Sequence, residues 1–91
     1  MISCDGLRPD AITAEYAPQL WRLRQAGLTA REALNDNPSV SLPNHTGMLT
    51  GLTARRHRVL TNGDIPGEVP YATLLDFAHD AGLSSALYAS K

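Results

Sequence analysis

Apolar positions recur at helical spacing in three stretches of the chain. The first starts at Pro18, a residue suited to a helix's first turn, and carries Leu20, Trp21, Leu23 and Arg24. It ends at Gly27, which is expected to take a left-handed cap. In the second, His45, Met48, Leu49 and Leu52 fall at i, i+3, i+4 and i+7, one helix face. Pro43 suits its first turn, which puts Ser41 just outside the N-terminus. The third runs from Tyr71 to Ala81, with Leu74, Leu75, Ala78 and Ala81 inward and Gly82 as its cap.

Three shorter apolar runs read as strands: Ile2 to Cys4, the weaker Leu28 to Leu34, and Ser85 to Ala89. Between them stand turn residues. Gly6 permits a tight turn after Asp5, and Asn35, Asp36, Asn37 and Pro38 form a second cluster. After Thr53 the chain reads as loop through Gly63, Pro66, Gly67 and Pro70. Alternation of strands and helices predicts an α/β fold, a partial, open, mostly parallel sheet with flanking helices. The opening strand is shorter than usual and the closing one stops with the chain, so residues 1–91 are expected to be one piece of a larger domain, with no second domain.

Composition changes this picture little. Eight Lys and Arg against nine Asp and Glu give no electrostatic reason to expect nucleic acid or a membrane surface. The one local bias is Arg55-Arg56-His57-Arg58, read as a solvated turn or as a patch attracting a phosphate-bearing substrate. No apolar run reaches the roughly 18 residues of a membrane span, and no secretory signal is visible. Cys4 has no second cysteine to pair with.

Two positions invite chemistry. In open α/β sheets ligands bind at the carboxyl ends of strands, and Asp5 is expected at such an end. It reads either as a hard ligand for a divalent metal or as ordinary Asp-Gly turn punctuation. Ser41, before a helix whose N–H groups favour an anion, reads as an N-cap or as a nucleophile. No histidine triad accompanies it. His45, His57 and His79 read as structural or solvated, and a metal is the other means of activating the hydroxyl.

Asp5-Gly6-Leu7-Arg8-Pro9-Asp10, then Ser41-Leu42-Pro43-Asn44-His45, Thr50-Gly51-Leu52, Arg56-His57 and Asn62 occur in that order. The series resembles the type I phosphodiesterase/nucleotide pyrophosphatase branch of the alkaline phosphatase superfamily, over essentially the whole chain. The resemblance implies a hydrolase of phosphodiesters or phosphomonoesters, with a small phosphate ester, such as a nucleotide, as substrate. It implies two zinc ions in the complete enzyme, with Asp5 and Ser41 on one of them. Ser41 falls where the family has its nucleophile, usually threonine. Asn62, 21 positions later, matches the asparagine that steadies a phosphoryl oxygen. Asn44 and His45 match the motif without ligating metal and shape the helix start. An extracytoplasmic location fits the family.

Three positions depart from that pattern. Ser41 replaces threonine, and Arg58 stands where the family usually has glycine, next to the loop carrying Asn62. Cys4 replaces an aliphatic residue and is expected to pack as a small hydrophobe. The remaining zinc ligands have no match, since Asp64, Asp76, His79 and Asp80 read as surface or turn residues. With Asp5 and Ser41 alone zinc lacks its usual four-coordinate shell, so the isolated chain is expected to be inactive. A sulfatase-like hydrolase is disfavoured because His45 stands where its signature needs arginine. A non-enzymatic remnant or interaction module of the same fold, or a plain α/β binding domain, are the readings from other classes.

Overall fold

A computed structural model describes residues 1–63 and 68–89. Asp64, Pro66, Gly67 and Lys91 lie outside the described residues. The chain divides into two compact units, Met1–Leu34 and Asn35–Lys91.

In the first unit, a turn closes between the Leu7 N–H and the Cys4 carbonyl, 3.2 Å apart. Gly6 sits inside it at φ 74°, a left-handed conformation that a side chain would oppose. A single 3-10 turn, Pro9–Ala11, follows. Helix α1 spans Pro18–Ala26 and opens on the proline as its sequence suggests. It ends differently from expectation. Gly27 is extended, at φ −121° and ψ −168°, and its N–H still reaches the Leu23 carbonyl at 2.9 Å. No residue of either helical segment is buried. Arg24 lies over the Trp21 ring, 5.8 Å from its centre.

The second unit is organised around α2, Ser41–Thr50, which packs against α3, Ala54–His57, and α4, Leu74–Asp80. Pro43, Thr46, Ala54, His57 and Val59 form the core between them. The inward face of α2 is therefore not the apolar one its spacing suggested, because Met48 is half exposed. Threonine takes that face instead. Thr46 donates to the Leu42 carbonyl (2.8 Å) and Thr50 to the Thr46 carbonyl (2.7 Å). These bonds satisfy the hydroxyls and allow the methyl groups to be buried.

Helix α4 is shorter than its apolar pattern, and capping sets both ends. Thr73 and Asp76 form a reciprocal capping box, which starts the helix three residues after Tyr71. At the other end, Gly82 donates to His79 and Leu83 to Ala78, the paired bonds of a Schellman motif. Leu74 and Ala81, expected inward, are exposed.

The predicted sheet is absent: no strand occurs among the described residues. Ile2 to Cys4, Leu28 to Leu34 and Ser85 to Ala89 are irregular and exposed, with Ile2, Leu34 and Tyr88 each largely in solvent. A strand exists only through a partner's ladder of hydrogen bonds, and β-rich composition in an isolated run does not supply one. Cys4, expected to be packed, is exposed as well.

Candidate active site at the start of helix α2

Val40, at φ −126°, is the cap residue of α2, so Ser41 is its first helical residue rather than lying outside it. The N-terminal N–H groups of a helix lack intrahelical partners. Leu42 donates its N–H to Asn62 Oδ1 at 2.8 Å. Pro43 has none to give. Asn44 N–H reaches the Val40 carbonyl at 3.3 Å. The side chain of Asn62 is thus fastened to the residue next to Ser41. Because its oxygen faces a backbone donor, its Nδ2 is turned elsewhere.

The segment entering α2 is held by Asn44. Its Oδ1 accepts from the Asp36 N–H (2.9 Å), and its Nδ2 donates to the carbonyls of Pro38 (3.1 Å) and Val40 (2.9 Å). One amide thereby fixes the bend from Asp36 to Val40, which includes the cis Asn37–Pro38 bond. Asn44 shapes the helix start through these three bonds.

Asp36, read from sequence only as turn chemistry, turns out to join α2 to α3. Its carboxylate accepts the N–H of Ala54, the first residue of α3, and the N–H of Asn37 at 2.9 Å. The Ala54 bond, the Asn37 bond and the nearby His57 together hold its pKa below the ordinary carboxylate value. No local signal marks this role, since its partner lies 18 residues away.

His57 is buried, 3% exposed. Its Nδ1 accepts the Val59 N–H at 3.1 Å, which puts the proton of the neutral ring on Nε2. That Nε2 has no partner among the described residues. Gly47 lies close to that atom: a Cβ there would stand 3.1 Å from the Leu52 carbonyl and 3.9 Å from Nε2. Arg58 follows at φ 65° as the left-handed cap of α3. This conformation gives a reason for glycine at that position, and Arg58 adopts it nonetheless.

Asp5 lies in the first unit, exposed in the Cys4–Leu7 turn and not at a strand end. Ser41 and Asn62 lie in the second. Among the described residues no three His, Cys, Asp or Glu side chains gather where a metal ion would fit. No helix among the described residues is long and apolar enough to cross a membrane.

Comparison with known proteins places these residues in context. The family of type I phosphodiesterases / nucleotide pyrophosphatases matches residues 1–71. Over 62 residues the chain is 32% identical to the bis(5'-adenosyl)-triphosphatase enpp4 of Xenopus laevis. That stretch is 68% of this chain and 14% of the relative. It is 31% identical, again over 62 residues, to an uncharacterised pyrophosphatase/phosphodiesterase of Schizosaccharomyces pombe, covering 68% of this chain and 13% of that protein. The chain thus spans a small part of the length of both relatives. No solved structure gives a significant match. With the match extending from the Asp5 turn through Asn62, the chain belongs to the type I phosphodiesterase / nucleotide pyrophosphatase family.

Proposed function

We propose that this chain carries the nucleophile and one charge-stabilising group of a hydrolase acting on phosphodiesters or pyrophosphates. Ser41 Oγ attacks phosphorus, forming an O–P bond as the bond to the leaving alcohol or nucleotide breaks. Water then releases the phosphoryl group from Ser41 in a second displacement.

The observation that carries this reading is the Asn62–Leu42 bond beside Ser41. It ties Asn62 Oδ1 to the backbone and leaves Nδ2 as the donor for an equatorial phosphoryl oxygen. The helix amides contribute less than a bare helix N-terminus would, because Leu42 N–H is committed and Pro43 lacks one. Preorganised donors of this kind stabilise charge as it develops.

Zinc is proposed for a complete enzyme, with Asp5 and Ser41 as this chain's ligands; a bound metal would make the serine hydroxyl more acidic. The isolated 91-residue chain is proposed to be inactive. The name of the Xenopus relative, a bis(5'-adenosyl)-triphosphatase, fits a nucleotide-containing substrate for the whole protein.

In an enzyme containing this chain, Ser41→Ala should abolish hydrolysis of an aryl phosphodiester and Ser41→Thr should retain it. Asn62→Ala should lower kcat by about 10²–10³-fold. Full activity in Ser41→Ala would defeat the proposal, as would Asp5-dependent turnover by the isolated chain for the inactivity claim.

A further inference from the structure

The mechanism leaves one strongly charged feature unused. Thr53, Arg55, Arg56, Arg58 and Tyr71 line an open groove along α3. Three of these five carry guanidinium groups, in a chain whose formal net charge is −1. The concentration of positive charge is therefore local and does not follow from a basic composition. All three arginines are exposed, and none forms an ion pair with a described residue. Asp36, whose carboxylate meets the start of α3, is committed to the N–H groups of Ala54 and Asn37.

The groove is also built rather than incidental. Tyr71 donates its hydroxyl to the Arg56 carbonyl at 2.9 Å, which fixes the far wall across 15 residues of sequence. Arg58 is held at φ 65°, where glycine would be unstrained, and its side chain still lines the groove. Backbone strain kept at a position whose side chain faces a cleft is a pointer to use of that side chain.

We propose that this groove is a binding site for a compound with linked phosphoryl groups, separate from the Ser41 site. Guanidinium groups present planar forks of donors that match phosphate oxygens, and three of them suit a chain of phosphates better than a single one. Thr53 also lines the groove. The contact is solvent-exposed, so affinity is modest and falls with added salt.

The test uses the intact 91-residue chain, isotope-labelled and titrated with inorganic tripolyphosphate, orthophosphate or sulfate at matched ionic strength. Tripolyphosphate should shift the resonances of Arg55, Arg56, Arg58 and Tyr71, leave those of Leu42 and Asn62 in place, and bind more tightly than the single anions. Arg55→Gln and Arg58→Gly should each weaken binding about two- to five-fold. Arg58→Gly is the decisive variant, because it relieves the backbone while removing the charge. A merely structural Arg58 would leave binding unchanged or improved. Undiminished affinity in Arg58→Gly, equal affinity for sulfate, equal binding by the urea-denatured chain, or shifts centred on Leu42 and Asn62 would each overturn the proposal.

Discussion

The two units differ in how far their hydrogen bonds reach. In Met1–Leu34, Arg8 pairs with Asp10 two residues away, Thr13 accepts from Tyr16 three away, and Thr29 reaches Arg24 five away. In Asn35–Lys91, Leu42 reaches Asn62 over 20 residues, Ala54 reaches Asp36 over 18 and Tyr71 reaches Arg56 over 15. Neither unit buries many large side chains. Long-range polar bonds, more than apolar burial, therefore characterise the region that holds Ser41. A short segment with a small core can define one loop geometry this way, because each bond closes a long stretch of chain.

The comparison breaks most sharply at Asn44. Asn44→Ala removes three hydrogen bonds at once and strands the Asp36 N–H. The expected loss is roughly 2–3 kcal/mol of stability in the second unit. Urea titration followed by the amide resonances of Leu42 and Ala54 would measure it. A loss no larger than for an exposed side chain would mean that the α2 entry is held by something else.

Acid should separate the units next. Asp36 has a folded pKa below its unfolded value, so its contribution is fully present above the unfolded value of about 3.9. It is lost as pH falls through the lower folded value. Amide exchange at Ala54 should accelerate over that range. Asp10 is also lowered, chiefly by Arg8, and Asp76 by Thr73. Protonating Asp10 releases only a neighbour, so no distant amide in the first unit should respond. If Ala54 exchange is insensitive to acid, the link between Asp36 and α3 is not what orders that helix.

Legibility in the sequence follows the same divide. Features whose cause is local are readable: the Pro18 start of α1, the tight turn at Gly6, and a helix with Pro43 in its first turn. The left-handed cap expected at Gly27 failed, since glycine tolerates that conformation without requiring it. The strands failed because pairing depends on partners that no single run specifies. Asp36 was seen only as a turn residue because its partner is remote. Only the family pattern singles out Asn62; neither its spacing nor its neighbours indicate that it meets Leu42. The Thr73–Asp76 box was a missed local signal, readable as a threonine followed three residues later by an acid. Thr73→Ala should cost about 1 kcal/mol and lengthen no other element, which circular dichroism during denaturation would detect. An unchanged midpoint would assign the start of α4 to packing on α2 instead.

The smallest expected effect falls in the first unit. Arg8 and Asp10 make a bidentate pair, with contacts of 3.0 and 2.6 Å. Yet their side chains are 79% and 66% exposed, and water competes for both charges. They are also two residues apart, so forming the pair orders almost no chain. Arg8→Ala should leave the denaturation midpoint unchanged within error, at low and at high salt. A clear destabilisation at low salt, erased by added salt, would show that a local charge pair organises this unit after all. The contrast between short-range and long-range bonding would then no longer explain why only one of the two units has a core.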